Sequence, residues 1–150
     1  MSVIVKVASC VLVVPVIAFG VYVILHGHLT PGGGFPGGAV IATIVAMILI
    51  AGGGERAKSL NKELLSFLES AGLVIFALLG LLGIGTTFFY NFLANSGSFF
   101  GMKIPFGINP GYMWTGGVIP PMNMAVGLEV FAALSLIAVV MFTHEEDEND

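Results

Sequence analysis

Hydrophobic positions in this chain gather into four long runs, Val3 to Leu25, Gly38 to Ala51, Leu64 to Phe89 and Met122 to Phe142, separated by short polar or glycine-rich stretches. A hydrocarbon layer about 30 Å thick needs roughly 20 apolar residues at 1.5 Å of rise each, and the first, third and fourth runs meet this. The pattern predicts an all-α integral membrane protein with four transmembrane helices, forming a single domain over residues 1–150. The second run covers only about 21 Å at that rise. Either the Phe35-Pro36 region continues that helix, or the glycine-rich hinge before it dips into the bilayer.

Local signals place the boundaries. Pro15 and Gly20 lie inside the first run, so that helix should bend near Val11, whose carbonyl loses the Pro15 donor. Gly52-Gly53-Gly54 should end the second helix, and a cap between Ser59 and Asn61 should start the third. Along the third helix Glu69, Gly72, Phe76, Gly80 and Gly83 share a sector of about 80°, which lets a neighbouring helix approach closely. The long outer loop Asn91 to Pro121, between the third and fourth helices, carries Phe99, Phe100, Phe106, Tyr112 and Trp114 and is expected at the outer membrane interface.

Composition agrees, with 57% hydrophobic residues, 9% charged and a mean hydropathy of +1.01. The first run has no small-residue cleavage site and exceeds the apolar core of a secretory signal, so it reads as a retained helix. Cys10, the only cysteine, excludes an internal disulfide and a cysteine-rich metal site. Lys6, Arg56, Lys58 and Lys62 fall on one side of a four-helix arrangement and Lys103 on the other, which puts both termini in the cytoplasm of a multi-pass plasma-membrane protein. The net charge of −4 owes much to an acidic cytoplasmic tail, residues 143–150, of the kind that is ordinarily solvated. No Ser-His-Asp or Cys-His set, phosphate-loop lysine or basic face is present, so the chain by itself is not expected to be an enzyme or to bind nucleic acid.

Polar residues inside apolar runs are the candidates for chemistry. Glu69 lies one to two turns from the cytoplasmic end of the third helix and Glu129 about two turns from the outer end of the fourth. An intramembrane carboxylate is costly and functional by default, lining an ion path or contacting another subunit, although Glu69 could also snorkel or pair with Lys62. Glu129 matches His26 in depth; if the two meet, a proton relay results. The hinge His26 to Gly38 adds His28 and Thr30, then Pro31, Gly32, Gly33, Gly34, Phe35, Pro36, Gly37 and Gly38. Two histidines with no further ligand at a suitable spacing do not make a metal site. The glycines could equally let four helices pack tightly.

The segment GHLTPGGGFPGG resembles the Gly-His-x-x-Pro-Gly-Gly-Gly-Phe-x-Gly-Gly signature of the B subunit of Mrp-type multisubunit sodium/proton antiporters, and the likeness extends through the four runs to PPMNMAVGLEV. The resemblance implies a non-catalytic membrane subunit, embedded in the lipid bilayer beside other antiporter subunits, in a complex that exchanges Na+ for protons. It implies no cofactor bound by this chain, with Na+ as the transported ion. Related modules occur in archaeal membrane-bound hydrogenases and sulfane reductases, whose subunits are then the partners. Stand-alone bacterial members carry Asp-Leu-Gly where this chain has Ala125-Val126-Gly127, with its carboxylate one turn later at Glu129, which tilts the reading toward the respiratory branch. A purely structural scaffold and a self-sufficient small proton-coupled transporter are the alternatives.

Overall fold

A computed structural model describes residues 3–52, 59–104 and 112–147, with side chains to His144 in the last stretch. Gly53, Gly54, Arg56, Lys58, Phe106 and the side chains of the tail from Glu145 lie outside the described residues. The fold is all-helical, with α1 at Val3–Leu25, α2 at Gly34–Gly52, α3 at Lys62–Leu81 and α4 at Ile119–Asp147. Each contains a stretch long and apolar enough to cross a membrane.

Several boundaries differ from the hydrophobic runs, α3 ending at Leu81 rather than Phe89 among them, and the early starts of α2 and α4 both involve proline. Pro36 falls in the first turn of α2, and Pro120 and Pro121 in the first turn of α4. The first helical turn has no intrahelical use for its N–H groups, so proline is tolerated there. The short second run is therefore lengthened by Gly34 to Gly37, and the outer loop ends at Val118 rather than Pro121. At the start of α3 the polar signal holds: Asn61 caps the helix, its side chain accepting from the backbone N–H groups of Glu63 at 3.0 Å and Leu64 at 3.1 Å. α1 runs unbroken through Pro15, and α4 continues to Asp147, carrying the first part of the acidic tail in helical form.

The helices run up and down in the neighbour order α1, α2, α4, α3, with α4 packed between α2 and α3. At one end of the bundle the hinge joins α1 to α2, and there Ile24 meets Gly127 and Gly34 meets Asn123. At the other, terminal end Leu49, Leu65 and Val139 form a buried cluster, and Lys62 Nζ donates to Thr143 Oγ1 at 3.0 Å. Apolar side chains draw membrane helices together only weakly, because lipid tails are as apolar as they are; close van der Waals contact through small residues does more. Gly20 and Gly37 bring α1 against α2, where Gly20 faces Ile41 and Gly37 faces Ile24. Much of α1 is left uncovered, including Val7, Val11, Val14 and Phe19.

The small face of α3 is filled differently from the expectation. Gly72 does receive α4, but Gly80 receives the ring of Phe89 and Gly83 the backbone of Tyr90, both from the turn that follows α3 itself. α3 ends at Leu81, and the chain folds back, Phe89 N–H donating to Gly80 O at 3.1 Å. From there the loop reaches α4 through Asn91, whose Nδ2 donates to Gly116 O at 3.2 Å and whose Oδ1 accepts from Val118 N–H at 2.8 Å. Asn91→Ala would strand a part-buried donor and acceptor, at a cost of about 1–3 kcal/mol. The expected result is faster proteolysis in the 82–118 segment and a lower thermal midpoint in detergent.

Candidate functional site

The hinge is a compact joint. After α1 the chain turns on its own carbonyls: His26 N–H donates to Tyr22 O at 3.0 Å, Leu29 and Thr30 N–H both to His26 O at 2.9 Å, and Gly33 N–H reaches back to Val23 O at 3.2 Å. The end of α1 thus satisfies groups that lipid could not. Gly33 has φ +130°, a conformation that a side chain would strain, and it turns the chain into α2. Thr30 Oγ1 donates to His26 O at 3.2 Å. Pro31, Gly32, Phe35 and Pro36 are exposed, whereas Gly33, Gly34, Gly37 and Gly38 are buried against neighbouring helices.

The joint's tightest contact is between α2 and α4. A β-carbon on Gly34 would overlap Asn123 O and lie 2.7 Å from Val126 Cβ and 2.9 Å from Gly127 N; one on Gly38 would lie 2.6 Å from Gly127 O. His28 packs its Cδ2 where a side chain on Gly116 would be, at 2.9 Å, beside Pro120. Asn123 Nδ2 lies 2.6 Å from the corresponding position on Gly27. Among the described residues neither ring nitrogen of His28 nor Asn123 Nδ2 has a hydrogen-bond partner, and all three atoms are buried. Asn123 is a residue that sequence reasoning misses; an amide near the start of an apolar helix is its only signal.

Burial holds the His28 pKa below its usual value of 6.5, and the nearby His26 acts in the same direction. The main chain of Tyr112 and Leu25 pulls upward, without either group closing a hydrogen bond to the ring. An unfolded histidine, titrating near 6.5, therefore takes up its proton before the folded one as pH falls. His28 contributes stability that is fully present above about pH 6.5 and is lost as pH drops through the folded pKa. A thermal-denaturation series should show the midpoint falling on acidification, and His28→Gln should make that fall shallower.

His26 does not join Glu129. Its ring stacks on Tyr22 with centroids 4.2 Å apart, and its Nδ1 lies 3.2 Å from Tyr22 O. Glu129 is directed elsewhere because Gly127 faces Ile24 of α1, and a residue two positions on is rotated by about 200°. Glu129 instead packs on α3, its Cβ 2.9 Å from where a side chain on Gly72 would begin.

Glu69 lies three residues before Gly72, about 4.5 Å along α3 and on nearly the same face. α3 and α4 are antiparallel, so the two carboxylates, expected toward opposite ends of the bundle, come within about one turn of the same depth. Glu129 is ten residues into α4, about 15 Å from its start, half of a hydrocarbon layer. Neither carboxylate makes a hydrogen bond or ion pair with any described residue, and Lys62, one of the partners open to Glu69, donates instead to Thr143. Ser135, fully buried on α4, also has a free Oγ among the described residues. No three His, Cys, Asp or Glu side chains converge among the described residues.

Comparison with known proteins places this arrangement. An uncharacterized protein of Methanocaldococcus jannaschii is 38% identical over 129 residues, covering 83% of this chain and 46% of that protein. The B subunit of a Na+/H+ antiporter of Bacillus subtilis is 32% identical over 65 residues, 43% of this chain and 46% of that protein. The chain thus spans about half the length of the curated relatives it matches. A chain in the structure of the membrane-bound sulfane sulfur reductase, an archaeal respiratory membrane complex, superposes with a TM-score of 0.72 at 28% identity, covering 94% of this chain and 58% of that one. Residues 4–136, which include the hinge, Glu69 and Glu129, match the domain related to the MnhB subunit of Na+/H+ antiporters, and this multi-pass membrane chain belongs to that family.

Proposed function

We propose that this chain is a non-catalytic membrane subunit of an Mrp-type Na+/H+ antiporter module and contributes to Na+/H+ translocation inside a large multisubunit complex. The match of residues 4–136 to the MnhB-related domain carries the reading. Within it, the carboxylates of Glu69 and Glu129 at the α3–α4 contact, which have no partner among the described residues, are the groups through which a proton or Na+ would be exchanged, since a carboxylate is seldom kept at that depth without a use. Thr30, His26 and His28 belong to the hinge joint rather than to that contact. The orientation has the termini in the cytoplasm, on the side of Lys6 and Lys62, with Lys103 outside.

The likeness to a chain of an archaeal respiratory complex over 94% of this chain favours the branch in which such modules are built into hydrogenases or sulfane reductases. A scaffold role is the second reading, supported by the tight glycine contacts between α2 and α4. Affinity purification in mild detergent followed by mass spectrometry tests the proposal. Large antiporter-like subunits should co-purify, with iron–sulfur or nickel–iron subunits among them in the respiratory branch; the chain emerging alone or self-associated would refute it.

A further inference from the structure

The loop between α3 and α4 carries an aromatic cluster that the packing of the four helices leaves uncovered. Phe99, Phe100 and Trp114 pack on one another, with ring centroids 4.6 Å apart for the phenylalanines and 4.8 and 5.1 Å from each to the indole. Phe99 is 68% exposed and Trp114 43%. Two backbone bonds tie the cluster down, Met102 N–H to Trp114 O at 2.9 Å and Gly117 N–H to Phe100 O at 2.7 Å. Phe100 adopts a left-handed conformation, φ 62°, which is unfavourable for a bulky residue and is held by these ties. A shallow groove beside the cluster is lined by Gly97, Ser98, Met102 and Lys103.

Position and charge identify what covers it. Gly117 lies two residues before α4 begins, so the cluster is held at the level where the helices leave the hydrocarbon. Indole rings favour that level, where the ring meets the acyl ester region and the N–H meets water. Between Leu82 and Pro121 the only charged side chain is Lys103, on the rim of the groove, so this end of the bundle offers a cation and no carboxylate. We propose that Phe99, Phe100 and Trp114 form a platform seated in the phospholipid headgroup layer, with the Lys103 ammonium meeting lipid phosphate. The partner is a lipid surface, and the platform fixes the depth of the loop and so of the start of α4.

A benzophenone amino acid placed at Phe99 in the complex purified with this chain, and irradiated in its native membrane, should give an adduct with the mass of a phospholipid. Cross-linking to a second polypeptide, or no adduct at all, would overturn the proposal. The full chain reconstituted in phosphatidylcholine vesicles gives an independent reading, because Trp114 is its only tryptophan. Lipid brominated near the carboxyl end of its acyl chains should quench Trp114 fluorescence more than lipid brominated near mid-chain. Stronger mid-chain quenching, or none from either, counts against a headgroup seat.

Discussion

Gly34→Ala is expected to unfold the hinge end of this protein or to lower its stability by about 3 kcal/mol, the upper part of the range for overpacking a tight contact. The added methyl meets Asn123 O, Val126 Cβ and Gly127 N, which are backbone atoms and a branched β-carbon that cannot swing aside. α2 and α4 must then separate by a substantial fraction of an ångström along their whole contact, and the loss extends to Gly38 and Val130 one turn below. Phe35→Ala in the same turn is the control, since that ring is 64% exposed and leaves the joint untouched. Thermal denaturation in detergent should show a large fall for Gly34→Ala and little change for Phe35→Ala. Equal midpoints would mean that the α2–α4 contact is looser than this geometry requires.

Glu129→Gln is expected to lower Na+-dependent proton transport by about ten-fold or more, about 1.4 kcal/mol on the limiting barrier, with assembly of the complex unchanged. The amide keeps the shape of the carboxylate and its packing against Gly72, but can neither take up a proton nor balance a cation. Glu69→Gln should act in the same direction. Because the two side chains lie within about one turn of the same depth on facing helices, their effects should be coupled, the double variant losing less than the sum of the singles. Independent losses would separate the two carboxylates into unrelated contacts, and transport falling only in proportion to assembly would favour the scaffold reading.

Much of the fold was legible because a membrane span needs little more than length and apolarity. α1 begins and ends where its run does, and Asn61 caps α3 within the expected segment. The twelve-residue hinge signature was specific enough to indicate the family that residues 4–136 then matched. What escaped was the identity of the neighbour at each small face. Gly80 and Gly83 carry the same signal as Gly72, yet they are filled by Phe89 and Tyr90 of the same chain; spacing reveals a gap without revealing its occupant. Prolines at positions 120 and 121 were placed in the loop although they fit a first turn, which made α4 look shorter than it is and put Glu129 too near its helix end, whereas at Pro36 the open alternative of a continued helix is the one observed. The relation of Glu129 to Glu69 rather than His26 depends on the rotation of α4, which Gly127 sets by its contact with Ile24.

The most direct test of the central claim is Na+-dependent collapse of a pH gradient, followed with a fluorescent dye in everted membrane vesicles from cells lacking this chain, with and without a plasmid copy. Loss of the Na+-dependent signal on deletion and its return with the plasmid is the expected result. A full signal without the chain, in vesicles whose remaining subunits are assembled, would contradict a part in Na+/H+ translocation.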